Sequence, residues 1–181
     1  MNFVQPIRDK DVLKGIKASL KKGSERNYML FSVGINTGLR ISDLLKLKKK
    51  DVFKKKHLII KEGKTGKKKT FPIHEKLQLE LKRYCKDLED EDYLFPSREG
   101  RNKPLTRYMA YRILREAAEE FEVYHIGTHT LRKTFGYHFY KKKKDVAILQ
   151  KIFNHSDPGI TLRYIGIIQD TIDEALDDYF L

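Results

Sequence analysis

Residues 128–139, THTLRKTFGYHF, predict a helix that carries an imidazole and a guanidinium on one face. His129 and Arg132 are three positions apart, and side chains at this spacing are neighbours on a helix surface. Leu131 and Phe135 indicate that the helix is partly buried, where polar groups need partners or a purpose. The imidazole and the guanidinium can converge on one ligand, and the imidazole can transfer protons near neutral pH. A chance surface pair is the alternative interpretation of the same spacing.

Further along the chain, residues 154–164, NHSDPGITLRY, bring a second histidine and a tyrosine close together in sequence. His155 precedes a predicted turn at 156–159, and Tyr164 follows nine residues after His155. Because a phenol has a pKa of about 10, tyrosine is a poor nucleophile in water. It becomes a usable nucleophile where cations stabilise the phenolate and a base accepts its proton. The chain has ten tyrosines, so ordinary packing is the alternative role for this one.

Upstream, residues 38–47, GLRISDLLKL, begin a short amphipathic helix at Arg40. Asp43 lies about one turn further on, where its carboxylate can orient the guanidinium. A planar guanidinium can donate two hydrogen bonds to one phosphate, and this is the use that we predict for Arg40. A surface ion pair is the alternative.

Residues 62–73, EGKTGKKKTFPI, predict a tight β-turn that projects Lys64 away from a small sheet. A lysine in this position could reach into a DNA groove. The neighbouring lysines disfavour the charged form of its ammonium and so lower its pKa, which suits a general acid. The alternative is a solvated basic hairpin that only contacts phosphates.

The remaining sequence predicts an α+β protein that is mostly α-helical. Apolar periodicity and capping residues predict helices at residues 9–22, 26–36, 39–47, 75–88, 106–121, 129–143, 145–153 and 170–180. Runs of β-branched and aromatic residues predict a small antiparallel sheet of three strands, DVF (51–53), HLIIK (57–61) and KTFPI (69–73). Because no repeat or Pro/Gly/Ser-rich linker divides the chain, we expect a single domain over residues 1–181.

The charge of the chain indicates a polyanionic partner. Lysine and arginine total 38 residues against 25 aspartates and glutamates, which gives a net charge of +13 and a pI near 9.6. Residues 46–70 hold twelve lysines and two carboxylates, whereas residues 170–178 are acidic. Each cation that neutralises a nucleic-acid phosphate releases counterions and thereby favours binding. A lysine-rich surface that serves solubility is the alternative.

The single cysteine and the absence of long apolar runs predict a cytoplasmic protein. Cys85 has no second cysteine to pair with, and we interpret it as a buried structural thiol. The N-terminus lacks the apolar core of a signal peptide, and no run approaches the roughly 18 apolar residues of a membrane span.

Four segments, taken together, resemble the catalytic domain of the tyrosine recombinases, the phage-integrase family. In chain order they are NTGLRISDLLKL (36–47), GKTGKKKTFPI (63–73), THTLRKTFGYHF (128–139) and NHSDPGITLRY (154–164). The resemblance spans about residues 28–166 and implies the fold of that catalytic core. It also implies a site-specific DNA recombinase or integrase, which cleaves and rejoins DNA strands without a metal or a nucleotide cofactor. The positions that it implies as catalytic are Arg40, Lys64, His129, Arg132, His155 and Tyr164.

The resemblance also implies a role for each of these residues. Tyr164 would attack the scissile phosphate and form a 3′-phosphotyrosyl link, while Lys64 protonates the departing 5′-oxygen. His129 would accept the tyrosine's proton or bind the phosphate. The two arginines would stabilise the charge on the phosphoryl oxygens, and His155 would hydrogen-bond the phosphate. A free 5′-hydroxyl from a partner strand would then reverse the chemistry.

Three features depart from the family's pattern. Asp43 stands where glutamate is usual, and Lys133 stands where a second histidine is common after the HxxR arginine. The N-terminal helical domain that closes the family's clamp around DNA is absent from the 181 residues. We therefore expect one catalytic domain, either as a fragment or as a naturally short protein.

The resemblance further implies double-stranded DNA as the partner and a tetramer on DNA. We expect a monomer off DNA and no membrane association. In the family the C-terminal helix often docks on a neighbouring subunit. Residues 170–180 have apolar side chains near helical spacing, and they could dock in trans or pack on the same chain.

Three other functions compete with this interpretation. A type IB topoisomerase shares the arginines and the tyrosine but generally has lysine in place of the histidine found here at His129. A non-catalytic DNA-binding regulator derived from an integrase would have the same charge pattern, and covalent trapping of DNA would distinguish the two. A metal-dependent nuclease would need converging carboxylates, and the acidic run at 89–92 predicts a solvated loop instead.

Overall fold

Ten helices and a β-hairpin form within residues 4–61, 63, 66, 68–177 and 179–180, the part that the computed structural model describes. The helices are α1 (Lys10–Gly23), α2 (Glu25–Thr37), α3 (Ile41–Leu44), α4 (Lys49–Val52), α5 (Glu75–Tyr84), α6 (Arg107–Glu119), α7 (Thr130–Lys143), α8 (Val146–Phe153), α9 (Pro158–Tyr164) and α10 (Ile167–Leu176). Strands β1 (His57–Lys61) and β2 (Lys68–Pro72) pair antiparallel, with His57 opposite Pro72 and Lys61 opposite Lys68. The mostly helical α+β architecture confirms the fold class predicted from the sequence.

The first two helices begin and end where their capping residues predict. The carboxylate of Asp9 accepts hydrogen bonds from the backbone of Asp11 and Val12 at the start of α1. The hydroxyl of Ser24 caps α2 in the same way, and Gly38 ends that helix in the left-handed conformation with φ of 64°. These side chains satisfy backbone groups that have no partner within the helix.

Helix α2 lies at the centre of the main hydrophobic core. It packs against α1, α3, α5 and α7, and its residues from Tyr28 to Gly34 are all buried. This burial on every side explains why its sequence is apolar almost throughout rather than striped. A second, smaller core of Leu149, Phe153 and Ile165 lies beneath the segments that carry His155 and Tyr164.

The prediction of a three-stranded sheet is wrong for its first strand. Within the described residues the sheet has two strands, and the DVF segment belongs to α4 and the residue after it. The Asp51 carboxylate accepts a hydrogen bond from the backbone of Lys48 at 2.9 Å, which favours a helical turn there. Val52 lies in this helical turn and is buried. A single buried apolar residue occurs equally in a short strand, so the sequence did not distinguish the two.

Two boundaries near the predicted catalytic residues also differ from expectation. The helix predicted over 39–47 is limited to Ile41–Leu44. The predicted turn at 156–159 runs into α9, because Asp157 caps a helix whose first residue is Pro158. Proline is favoured at that first position, where its missing N–H has no partner to lose.

In the described part of the chain, no helix is long and apolar enough to cross a membrane.

Candidate active site

The N-terminus of α7 places His129 and Arg132 beside the C-terminal end of α2. His129 is the N-cap residue of α7, and Arg132 lies in its first turn. Arg132 is almost fully buried, and its guanidinium donates hydrogen bonds to the carbonyl oxygens of Gly38 and Phe153. It also stacks on the Phe153 ring, with Cζ 4.3 Å from the ring centroid. These contacts fix a charged group that would otherwise be costly to bury.

The short helix α9 places Tyr164 next to His129. Tyr164 is the last residue of α9, and its hydroxyl lies 3.1 Å from Nδ1 of His129. Its ring packs edge-on against Phe153 at 5.5 Å between centroids, in the smaller core. His129 and Tyr164 are 35 positions apart in the sequence, and α7, α8 and α9 bring them into one site.

His155 lies beside Tyr164, just after the C-terminal end of α8. It follows Asn154, which ends α8 in the left-handed conformation, and its ring centroid is 5.2 Å from that of Tyr164. Its Nδ1 is 3.0 Å from the hydroxyl of the buried Thr161, which fixes the ring's orientation. Thr161 is not among the residues predicted for the site, although it lies three positions before Tyr164 on the same helix.

Arg40 reaches the site from the start of α3. It is half-buried as the N-cap residue of this helix, and its charge acts on His129, His155 and Tyr164. The neighbouring Asp43 is buried, and its Oδ1 accepts a hydrogen bond from the backbone of Gly63 at 3.0 Å. Asp43 thus joins α3 to the turn between β1 and β2.

Lys64 lies outside the described residues, so its predicted place in the site stays a prediction. The structure places two further lysines near the site, neither of which is among the predicted catalytic residues. Lys69 on β2 contacts the carbonyl oxygen of Ile152 at 2.5 Å and its charge acts on His155. Lys133 has its Nζ 5.1 Å from the ring centroid of Tyr164.

Both histidines of the site are held in the neutral form more strongly than in water. Loss of hydration lowers the pKa of His129, and the charges of four cations lower it further: Arg132, Lys133, Arg107 and Arg40. Burial lowers the pKa of His155 as well, again with contributions from nearby cations. A neutral imidazole with a free ring nitrogen can accept a proton.

Burial and cationic charge act in opposite directions on Tyr164. Burial raises the pKa of its phenol, whereas the charges of Arg132 and Arg40 and a hydrogen bond with Arg132 lower it. Burial is the larger effect, so the net pKa lies above the ordinary value. Tyr164 is therefore a phenol near neutral pH, and it needs a proton acceptor if it is to act as a nucleophile.

Among the described residues, no cluster of three or more His, Cys, Asp or Glu side chains could hold a metal ion. Cys85 is buried in the main core, and burial raises the pKa of its thiol to about 11. The structural role predicted for this thiol agrees with both observations, since reactivity requires the thiolate.

The helical core, the two-stranded hairpin and the order of the site residues define a tyrosine recombinase catalytic domain. The chain belongs to the phage integrase family, whose model matches residues 7–169. This confirms the family resemblance drawn from the four sequence segments.

Two relatives illustrate how far the similarity extends. A probable integrase/recombinase, YoeC of Bacillus subtilis, is 53% identical over 175 residues, which are 97% of this chain and 96% of YoeC. The tyrosine recombinase XerA of Pyrococcus furiosus is 30% identical over 174 residues, covering 94% of this chain but only 60% of XerA. The chain therefore spans nearly the whole of one relative and about three-fifths of the other.

Solved structures show the same fold at lower sequence identity. The crystal structure of XerA recombinase has a TM-score of 0.76 at 22% identity, covering 96% of this chain and 65% of that one. A lambda integrase tetramer bound to a Holliday junction has a TM-score of 0.68 at 19% identity, covering 88% of this chain and 48% of that one. At these identities the likeness concerns the fold alone.

Proposed function

We propose that this chain cleaves and rejoins DNA strands as a site-specific recombinase, with Tyr164 forming a covalent 3′-phosphotyrosyl link. The observation that carries the proposal is the contact between the Tyr164 hydroxyl and Nδ1 of His129, 3.1 Å apart in a site that Arg132 and Arg40 make cationic. Double-stranded DNA as the partner is supported by the net charge of +13. A lambda integrase tetramer bound to a Holliday junction shares the fold and also supports DNA as the partner.

The first step is attack by the phenol on the scissile phosphorus. As the bond from the Tyr164 oxygen to phosphorus forms, the phenolic proton passes to Nδ1 of His129, which is neutral and within hydrogen-bond distance. The raised pKa of Tyr164 means that the proton leaves during the attack rather than before it.

The negative charge that develops on the phosphoryl oxygens is met by cations. The guanidinium groups of Arg40 and Arg132 stabilise it, and His155 hydrogen-bonds the phosphate. Arg132 is already oriented by the carbonyl oxygens of Gly38 and Phe153, so little reorganisation is needed during the reaction. In enzymes that transfer acyl groups, removing one such preorganised donor costs about 100- to 1,000-fold in rate.

The bond between phosphorus and the 5′-oxygen breaks as the tyrosyl bond forms. Lys64 donates a proton to the departing 5′-oxygen, which leaves as a hydroxyl. The 5′-hydroxyl of a partner strand then attacks the phosphotyrosyl phosphorus and gives its proton to Lys64. The bond between phosphorus and the Tyr164 oxygen breaks, and the phenolate recovers its proton from His129. Because the phosphotyrosyl bond replaces one phosphodiester bond by another of similar free energy, ligation needs no nucleotide cofactor.

A covalent-capture selection tests this proposal and identifies the DNA site in the same experiment. Nicked duplexes with randomised arms are incubated with the wild-type chain and with Tyr164→Phe in the presence of a chelator. Protein-bound DNA is recovered after denaturation and sequenced. We expect an adduct and an enriched sequence with wild type only. Salt-sensitive DNA binding with no adduct would favour a non-catalytic DNA-binding regulator, and equal adduct from Tyr164→Phe would exclude this nucleophile.

We also propose that the chain is a monomer off DNA and forms a tetramer on DNA, with α10 docking on a neighbouring copy. Helix α10 has no buried residue, and its Ile172 and Leu176 are exposed by 46% and 59% of their surfaces. Exposed apolar side chains grouped on one helix are typical of an interaction surface.

The same molecule carries a second apolar surface that could receive this helix. A groove of about 580 Å³ lies between α7, α8 and β2, and its apolar lining includes Phe71, Phe135, Phe139, Ile148 and Ile152. Lys143 and Asp145 both line the groove, so the proposed contact rests on the apolar side chains of the groove and of α10. A contact between two different surfaces of identical chains is head-to-tail, and it closes into a ring when the rotation allows.

A further inference from the structure

Lys133 is a cation of the site that takes no part in the proposed bond-forming and bond-breaking steps. It follows Arg132 on α7 and is half-buried, with its Nζ 5.1 Å from the centroid of the Tyr164 ring. An ammonium within about 6 Å of an aromatic centroid is attracted to the ring's electron-rich face. Two other neighbours of that ring, Phe153 and His155, approach it edge-on at interplanar angles of 71° and 74°.

The ammonium of Lys133 also contacts the N-terminal strap, which we define as residues 4–8. Its Nζ donates a hydrogen bond to the carbonyl oxygen of Val4 at 2.8 Å. Val4 itself packs on the backbone of Gly127, because a Cβ added there would lie 2.4 Å from a methyl of Val4. Burial and the charge of Arg8 lower the pKa of Lys133.

The strap is itself fixed to both segments that carry the site. The backbone N–H of Ile7 donates to the buried hydroxyl of Thr134 on α7 at 2.9 Å. Beyond Tyr164, Arg8 forms an ion pair with Asp170 on α10 at 2.8 Å and also contacts the carbonyl oxygen of Gly166. Lys133 therefore contacts both a fixed backbone carbonyl and the tyrosine ring.

We propose that Lys133, tethered by the Val4 carbonyl, is a positioning residue that holds the Tyr164 ring with its hydroxyl at His129. This inference rests on the proposed function, since it concerns the nucleophile of that reaction. The proposal separates two contacts of one side chain, a hydrogen bond to the strap and a cation against the ring. Only the second contact acts directly on the nucleophile.

Three substitutions separate these contacts. Lys133→Arg keeps a cation and a donor, Lys133→Gln keeps a donor for the Val4 carbonyl but no charge, and Lys133→Met keeps neither. Lys142→Met is the matched control, because Lys142 is an exposed lysine on the same helix and its loss changes the net charge equally. Each protein is compared by thermal unfolding, by DNA affinity and by the single-turnover rate of adduct formation at saturating nicked duplex. The duplex is one recovered by the covalent-capture selection.

We expect the cleavage rate at saturating DNA to fall about 10- to 100-fold in both Lys133→Gln and Lys133→Met, since small misplacements of a reacting group have effects of this size. DNA affinity should match that of the Lys142→Met control. Lys133→Arg should recover most of the rate, because a guanidinium also stacks on aromatic rings.

A wild-type cleavage rate in Lys133→Gln would overturn the proposal. The hydrogen bond to the Val4 carbonyl would then be the only role of Lys133 that the data support. Lys133→Gln and Lys133→Met could instead lower the DNA affinity and the thermal midpoint and leave the cleavage rate at saturating DNA unchanged. That result would also overturn the proposal and assign Lys133 a structural role. If Lys133→Met does not fold, the comparison of Lys133→Arg with Lys133→Gln decides alone. Failure of the wild type to form any adduct would overturn the proposed function and this inference with it. An adduct that Tyr164→Phe abolishes and Lys133→Gln leaves unchanged would overturn this inference alone.

Discussion

The proton acceptor for Tyr164 is the residue on which the proposed chemistry depends most. Four cations, Arg132, Lys133, Arg107 and Arg40, act on His129 and oppose the charge that it would gain by accepting a proton. That charge becomes favourable when an anionic phosphate enters the site. In the proposed mechanism, this arrangement keeps His129 neutral until an anionic phosphate is bound, which then favours the proton transfer.

The pH dependence of cleavage follows from the lowered pKa of His129. Above this pKa the imidazole is neutral and can accept the phenolic proton, and below it the activity is lost. At subsaturating DNA the rate reports the free protein, so the acid limb should have its midpoint below about 6.5, the ordinary histidine value. The measurement is the second-order rate of adduct formation as a function of pH.

His129→Gln should abolish this acid limb and lower the rate. His155→Gln is the matched control, and it should lower the rate while the limb persists. A midpoint above the ordinary histidine value, or a limb unchanged in His129→Gln, would show that another group accepts the proton.

At the residue scale, the sequence predicts the types of functional group better than their contacts. Arg40, His129, Arg132, His155 and Tyr164 lie near one another in the structure, as the family resemblance implies. The contact of Lys133 with Tyr164 depends on the path of residues 4–8, and no local pattern in the sequence specifies that path. The same holds for the hydrogen bond between Thr161 and His155, which depends on how α9 is oriented.

At the scale of elements, the sequence predicts long capped helices accurately and short elements poorly. The helices with clear caps, α1 and α2, begin where Asp9 and Ser24 predict. The prediction for 51–53 is wrong, and the turn predicted at 156–159 is limited to 156–157 because α9 begins at Pro158. Three or four residues carry too little periodicity to distinguish a helix from a strand or turn. In both segments an aspartate side chain bound to the backbone favours the helical turn.

The packing of α7 against the segment that carries Tyr164 depends on a residue without a side chain. A Cβ added to Gly136 would lie 2.6 Å from Ile165 and 2.8 Å from Phe153, both fully buried. Gly136→Ala should therefore destabilise the fold by about 1–3 kcal/mol, the usual range for overpacking a core. It should also displace Tyr164, which directly precedes Ile165 in the chain.

Chemical denaturation measures the free energy of unfolding for this variant. Gly23→Ala is the matched control, because nothing lies within 4 Å of a Cβ added at the end of α1. The control should be neutral or slightly stabilising, since alanine favours a helix over glycine. A Gly136→Ala protein as stable as the control would contradict the close packing described here.

At the scale of the whole molecule, the proposed tetramer requires both α10 and the apolar groove. Leu176→Asp on the helix and Ile148→Asp in the groove should each prevent tetramer formation on DNA, because a charge buried in an apolar contact is costly. Both residues are exposed in the single chain, so its stability should change little. The mass of protein–DNA complexes in solution, compared with that of protein alone, reports the assembly.

Leu79→Asp is the control for this experiment, since Leu79 is an exposed apolar residue on α5, outside both surfaces. It should leave the tetramer intact. Tetramers that persist in both Leu176→Asp and Ile148→Asp would exclude docking of α10 in this groove.

The most direct test of the central claim is to identify the residue that carries the DNA. Adduct from the covalent-capture selection is digested with nuclease and trypsin, and the modified peptide is sequenced by mass spectrometry. Trypsin cleaves after Arg163, so the peptide of interest begins at Tyr164 and also contains Tyr179, which fragmentation distinguishes. We predict a 3′-phosphonucleotide on Tyr164, formed in the presence of a chelator. A nucleotide on any other residue, or an adduct that forms only with a metal ion, would contradict the mechanism.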